Sequence, residues 1–154
     1  MKREMNAADV IRLLQMRPLI PEGGYISEQV RDRDQSVIYY LIASPDFSAL
    51  HRLAGPEVWH YYGGAPVTMT IIGADGLAVT RTLGMDLEVG NRPQIIVPAG
   101  SWQGARSMGE WSLVGTTMTP PYNHETTVFA TPQLVLRTWP AQADELMSLT
   151  RGEV

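Results

Sequence analysis

The chain has no cysteine among its 154 residues. That excludes disulfides, thiolate metal sites and cysteine nucleophiles. Lysine is nearly missing too: Lys2 stands alone, and the other basic residues are arginines scattered along the sequence. With a formal net charge of -4 and a pI near 5.3 there is no basic stripe to neutralise phosphates, so nucleic acid is not an expected partner. Long apolar runs are absent, and nothing approaches the roughly 18 residues that a membrane-spanning helix requires, so no membrane partner is expected. The opening Met-Lys-Arg-Glu-Met-Asn leads into an amphipathic pattern instead of the apolar core of a signal peptide, which makes a cytoplasmic location the expectation. No repeat, low-complexity tract or linker interrupts the sequence. One domain over residues 1–154 is the natural reading at about 150 residues per domain.

Turn chemistry, in contrast, is plentiful, with 14 glycines and 11 prolines. Asn6 is a good N-cap with Asp9 in the first turn, and Val10, Leu13 and Leu14 recur at helical spacing, which predicts a helix over 7–16. Pro18 and Pro21 stop it. From Tyr25 onward the pattern is β: Tyr25 to Val30 alternates, Val37 to Ala43 is a continuous apolar run, and Val67 to Ile71 alternates again. Asp75-Gly76 then marks a hairpin before Leu77 to Leu83. Short strands follow at Gln94 to Val97, Gly104 to Arg106, Ser112 to Met118 and Thr127 to Phe129. Strands at this spacing predict an all-β closed barrel or sandwich over about 25–139. Pro140, Leu146, Met147 and Leu149 predict a short C-terminal helix over about 141–151.

An ordered set of motifs carries a resemblance. Pro21-Glu-Gly-Gly-Tyr25, Ile38-Tyr-Tyr-Leu41, Phe47-Ser-Ala-Leu-His-Arg52, Glu57-Val-Trp-His60, Gly84-x-Asp86, Val97-Pro-Ala-Gly100, Trp102-Gln103 and Leu113-Val-Gly115 resemble the DUF985, or Cupin-5, family over about residues 8–125. The resemblance implies a single-domain cupin, a double-stranded β-helix (jelly-roll barrel) of the same broad type as sugar-nucleotide epimerases, usually a homodimer. Sheet edges left by an incomplete barrel favour dimerisation physically as well. Two departures stand out. Pro120-Pro121-Tyr122-Asn123 occupies the place of the family's usual Pro-Gly-Phe, and Ile20 stands where a histidine commonly precedes the Pro-Glu-Gly-Gly segment.

Under this resemblance the segment from Phe47 to Gly64 and the segment Pro98 to Gln103 line one small-molecule pocket. Metal-binding cupins use a His-x-His-x(3 or 4)-Glu segment and a later histidine. This chain offers His51 and Glu57, lacks the paired histidine, and has Gln103 where the later one falls. A divalent metal (iron, nickel, manganese or zinc) would therefore have only His51, Glu57, Gln103 and His60 as candidate ligands. Strand parity puts Glu57, Trp59 and Tyr61 on one face and His60 and Tyr62 on the other, so His60 belongs to the pocket only if a bulge intervenes.

Without a metal, His51 and Glu57 form a catalytic acid/base pair, because imidazole titrates near neutrality and a buried carboxylate rises toward it. Ser48 and Arg52 are candidates to bind an anionic group on the substrate, Gln103 to hold a carbonyl or hydroxyl, and Tyr40, Phe47, Trp59, Tyr61 and Trp102 to form aromatic walls. Structural alternatives stand beside each: core packing for the aromatics, a solvated charge or a Glu57 ion pair for Arg52, and an inter-sheet or dimer contact for His60. The leading expectation is a small-molecule enzyme of isomerase, epimerase, cyclase or lyase type that requires no cofactor. A metal-dependent cupin enzyme and a non-catalytic metabolite-binding protein are the alternatives.

Overall fold

The computed structural model describes residues 1–152. The first element begins as the sequence indicates. The Asn6 side chain accepts from the Asp9 N–H and the Asp9 carboxylate accepts from the Asn6 N–H, each at 3.0 Å, a reciprocal capping box. The helix, α1 (Ala7–Leu13), is shorter than the expected 7–16. Gln15 takes a left-handed φ of 53°, and the chain turns into the short strand β1 (Arg17–Pro18).

The strands that follow are β2 (Tyr25–Arg31), β3 (Ser36–Ala43), β4 (Ser48–Arg52), β5 (Glu57–Gly64), β6 (Val67–Ile72), β7 (Ala78–Leu83), β8 (Gln94–Val97), β9 (Trp102–Ser107), β10 (Trp111–Met118) and β11 (Val128–Phe129). They form a six-stranded sheet, β1-β2-β3-β10-β5-β8, and a five-stranded sheet, β11-β4-β9-β6-β7, with every strand pairing antiparallel. The chain is thus nearly all-β, in two sheets.

Beyond β11 the expected layout changes. The sequence reading runs the barrel to 139, whereas a helix, α2 (Pro132–Thr138), follows the last strand directly. Thr131 caps it, its hydroxyl accepting from the Leu134 N–H at 3.1 Å, and Pro132 fills the first turn, where a missing N–H costs nothing. The expected C-terminal helix contracts to α3 (Ala143–Met147), entered through a 3₁₀ turn at Pro140–Gln142. No helix among the described residues is long and apolar enough to cross a membrane.

Alternation along the strands separates an interior between the sheets from two outer layers. Tyr40, Trp59, Val67, Met69, Ile95, Val97, Ala105 and Val114, drawn from both sheets, pack together as the inner core. Leu41 turns outward to α1, whose Val10 it meets. Leu50 and Ile72 turn outward to Val135, Trp139 and Leu146 of the C-terminal segment. A neighbouring residue is thereby sent inward in each case: Tyr40 beside Leu41, His51 beside Leu50.

One irregularity matters for the site. Ser48 pairs with Ala105 and His51 with Gln103, so three steps on β4 answer two on β9. The extra residue is a β-bulge. Ser48 and His51, which strict alternation would place on opposite faces, are both buried.

The outward anchor of β4 is testable. Leu50 is fully buried against the C-terminal helices. Leu50→Ala is expected to cost about 2–5 kcal/mol, read from the denaturant midpoint; a loss below about 1 kcal/mol would show that the C-terminal layer does not support β4.

Candidate active site: two carboxylates and an imidazole between the sheets

A cavity opens between the sheets, enclosing about 560 Å³ of unfilled space including its mouth. Glu22, Tyr40, His51, Glu57 and Trp59 line its polar end, and Leu19, Ile26, Ile38, Leu53 and Met118 give it apolar walls. Glu28, Arg31 and Tyr122 complete the lining. The Arg31 guanidinium donates to the Tyr122 carbonyl at 2.8 Å, and the Tyr122 N–H donates to the Ser36 hydroxyl at 2.9 Å. Tyr122, in the segment after β10, thus supplies part of this wall.

His51 is nearly inaccessible to solvent, at 2% exposure. Its Nδ1 lies 2.6 Å from the Ala49 carbonyl, which can only accept, so Nδ1 carries a proton. Nε2 faces Glu22 Oε1 at 3.5 Å. Glu22 Oε2 accepts from the Ser48 hydroxyl at 2.8 Å. The Phe129 ring packs on the imidazole with centroids 5.6 Å apart. Two buried side chains thus face each other at the polar end of the cavity.

Glu57 sits at the start of β5, with its Oε1 accepting from the Trp59 indole N–H at 3.0 Å. The same N–H is shared with Gln103 Oε1 at 2.9 Å. Burial, reinforced by the Glu22 charge, raises the Glu57 carboxyl from its ordinary 4.5 to about 7, with His51 and the indole N–H opposing the rise. The Tyr40 hydroxyl donates to the Gly23 carbonyl at 2.6 Å, and burial followed by the Glu22 charge pushes its pKa well up, so it remains a neutral donor.

The structure brings together some of the expected residues and disperses others. His51, Glu57, Tyr40 and Trp59 line the cavity. Ser48 and Gln103 are buried behind it, in contact with Glu22 and Trp59. Arg52 is not there: it is exposed, with its guanidinium 5.1 Å from the Trp102 ring centre. Trp102 packs edge-on against Trp139 in the outer C-terminal layer. Both precede or follow an inward residue by one position, so alternation sends them out. Phe47 belongs to the same outer cluster, beneath the guanidiniums of Arg106 and Arg151. Tyr61 packs against the inner core, its hydroxyl donating to the Gly64 carbonyl, and does not line the cavity. A register shift leaves Tyr62 as the extra residue between paired Tyr61 and Gly63. His60 stacks on Tyr62 and lies 3.2 Å from the Thr117 hydroxyl, away from the cavity.

Glu22 is the functional candidate that sequence reasoning missed, because Pro-Glu-Gly-Gly reads as a turn. Its signal lay in the two glycines. Gly23 and Gly24 have φ of 103° and 75°, and a Cβ on Gly24 would stand 2.5 Å from the Tyr40 ring. Only glycine permits that approach, and so brings the preceding carboxylate under Tyr40 and beside His51.

Residues 8–130 match the family model described as Cupin superfamily (DUF985). The chain belongs to that family. Two solved structures align over 97% of this cupin and 100% of their own length: a protein from Shewanella oneidensis at 29% identity and TM-score 0.92, and a hypothetical protein from Leishmania major at 25% identity and TM-score 0.90. Oxalate decarboxylase from Bacillus subtilis, at 18% identity and TM-score 0.57, shares the fold over 92% of this chain and 38% of its own. No curated protein is similar enough to match.

The set of metal ligands expected from the sequence is not brought together in this cupin. Of the expected set His51, Glu57, Gln103 and His60, the last lies outside the cavity, and the Gln103 carbonyl oxygen is taken by the indole N–H. His51 Nδ1 is committed to Ala49, which leaves Nε2, the atom facing Glu22, as its free ring nitrogen. Among the described residues no group of three or more histidines or carboxylates is arranged to hold an ion.

The raised Glu57 carboxyl has a consequence for stability. The folded protein keeps a proton that the unfolded chain releases between about pH 4.5 and 7, so stability falls as pH rises through that window and the loss is complete above it. Glu57→Gln is expected to abolish the fall, stabilising the protein at pH 8 by on the order of 2–4 kcal/mol and changing little at pH 4. Urea unfolding at both pH values measures this. Parallel stability curves for the two proteins would mean that Glu57 is not raised.

Proposed function

We propose that this cupin is a small-molecule enzyme that moves protons on its substrate, in isomerase, epimerase, cyclase or lyase chemistry, with no organic cofactor. One observation carries the reading: two carboxylates and an imidazole converge in a single cavity walled by aromatic and apolar side chains. A proton abstracted from the substrate at one side goes to Glu57 in its ionised form. The Glu22–His51 pair delivers a proton at the other, or the two groups exchange these roles. Near neutral pH Glu57 is poised to act in either direction, which is where a general acid/base works best. Gln103, behind the cavity, holds the Trp59 indole in place through its Oε1, while its Nε2 has no acceptor among the described residues.

The lining also bears on the substrate's charge. Three carboxylates, Glu22, Glu28 and Glu57, face the cavity against Arg31 and His51, and Arg52 is outside it. A neutral or cationic metabolite suits this balance better than a dianion such as oxalate. Arg52, exposed over Trp102, anchors no anion in the cavity.

The test is a screen of small neutral, cationic and anionic metabolites by thermal shift, followed by NMR to detect turnover of the binders. Glu57→Gln, Glu22→Gln and His51→Ala are each expected to reduce turnover about 10²- to 10⁴-fold, while Arg52→Ala leaves it within about twofold. Retained turnover in all three site variants would remove the acid/base reading, and binders recovered unchanged would favour a metabolite-binding protein.

We also propose that the protein acts as a cytoplasmic homodimer. The edge strands β7 and β8 expose Val79 and Ile96, and unpaired sheet edges favour a second copy. Light scattering at micromolar concentration should give twice the chain mass of 17.0 kDa; a monomer would end this proposal.

A further inference from the structure

Glu22 reaches His51 only if the loop that carries it is held against β4, and the side chain that does this comes from the far end of the protein. Arg151 Nε donates to the Pro21 carbonyl at 2.9 Å. Its Nη2 lies within hydrogen-bonding distance of the Glu22 carbonyl at 2.8 Å, the Phe47 carbonyl at 2.7 Å and Asp46 Oδ1 at 2.9 Å. The guanidinium also covers the Phe47 ring, 4.1 Å from its centre. One planar group thus bridges the main chain of the Glu22 loop to the entry of the strand that bears Ser48 and His51.

The surrounding contacts make this a designed junction and not a loose surface contact. Asp46 Oδ2 accepts from the Gly24 N–H at 2.8 Å and Oδ1 from the Phe47 N–H at 2.9 Å, so the carboxylate that meets Arg151 grips both segments itself. Burial opposes its ionisation, yet these N–H donors and Arg151 hold the Asp46 carboxyl below its usual range. The Glu22 carbonyl accepts a further bond from the Ala49 N–H at 2.8 Å. The tail is seated by its own contacts: the Leu149 carbonyl accepts from the Leu50 N–H at 2.8 Å, Leu149 is buried in the outer cluster, and Arg106 donates to the Ser148 carbonyl. A lysine could supply the charge but not the fork of donors that spans three carbonyls and a carboxylate.

We propose that Arg151 is a positioning residue for the active site, and that the segment 148–151, beyond the residues the family model matches, completes the site by fixing Glu22 against His51. The inference rests on the acid/base reading above. It assigns Arg151 no contact with substrate; its role is to set the distance between two groups that exchange a proton.

The test uses the full chain and the Trp59 indole N–H, whose proton is shared with Glu57 and whose NMR resonance therefore reports the ionisation of that carboxyl. Wild type should titrate near pH 7. Because the Glu22 charge raises Glu57, loss of Glu22 from its place should lower the midpoint. Arg151→Ala and Arg151→Lys are each expected to lower it by roughly half a pH unit. Arg81→Ala, an exposed arginine on β7 that touches neither the tail nor the Glu22 loop, should keep the wild-type midpoint. An unchanged midpoint in folded Arg151→Ala, or an equal shift in Arg81→Ala, would overturn the proposal; if the alanine variant does not fold, Arg151→Lys decides on the same criterion. Turnover in wild type with an unchanged midpoint in the variants removes this inference alone. A shifted midpoint with no turnover of any metabolite removes the enzymatic reading and leaves Arg151 as a positioning residue.

Discussion

The indole N–H of Trp59 lies where the two sheets meet, shared between Glu57 of one and Gln103 of the other. A buried carboxylate without a donor is strongly disfavoured, and a buried amide oxygen without one costs about 1–3 kcal/mol. Trp59 answers both at once, and its bulk fills the inner core while its polar edge faces the cavity. The sheets are thereby joined at the point where the chemistry is placed. Displacing the indole would take one of its donors from Glu57 and leave Gln103 with neither end of its amide paired among the described residues.

Around that link the site is built by contrast between neighbours. Leu50 faces the C-terminal helices and His51 the cavity; Leu41 faces α1 and Tyr40 the cavity; Trp102 packs on Trp139 and Gln103 meets Trp59. Each outward residue is apolar and held by a helix laid over the sheet. The helices thus do more than cover apolar surface. They fix the rotation of the strands, and with it the direction in which the polar residues point.

Much of this was legible in the sequence. Alternation and turn chemistry located the strands, and the capping box at Asn6 located α1, because both depend on local contacts. His51, Glu57, Tyr40 and Trp59 were identified as pocket residues from ordered motifs. What failed were inferences about facing. Arg52, Trp102 and Phe47 were assigned to the pocket by proximity in sequence to His51 and Gln103, although alternation alone would have turned Arg52 and Trp102 away. Glu22 was missed because its role depends on contacts with Ser48, His51 and Arg151, which lie 26 or more positions along the chain. The helix α2 was foreshadowed by Thr131-Pro132, a cap followed by a first-turn proline that the strand pattern ahead of it obscured.

The bulge in β4 carries an implication for how such a site can change over time. It allows Ser48 and His51, three positions apart, to contact Glu22 from the same side. Spacing at this place is therefore more tightly constrained than the identity of Ala49, which only has to be small. A one-residue deletion between Ser48 and His51 would restore the even ladder, yet it would also turn Leu50 into the cavity or pull His51 out of it. A wall of the pocket such as Tyr122 can change one side chain at a time, whereas the step count of this strand cannot change by degrees.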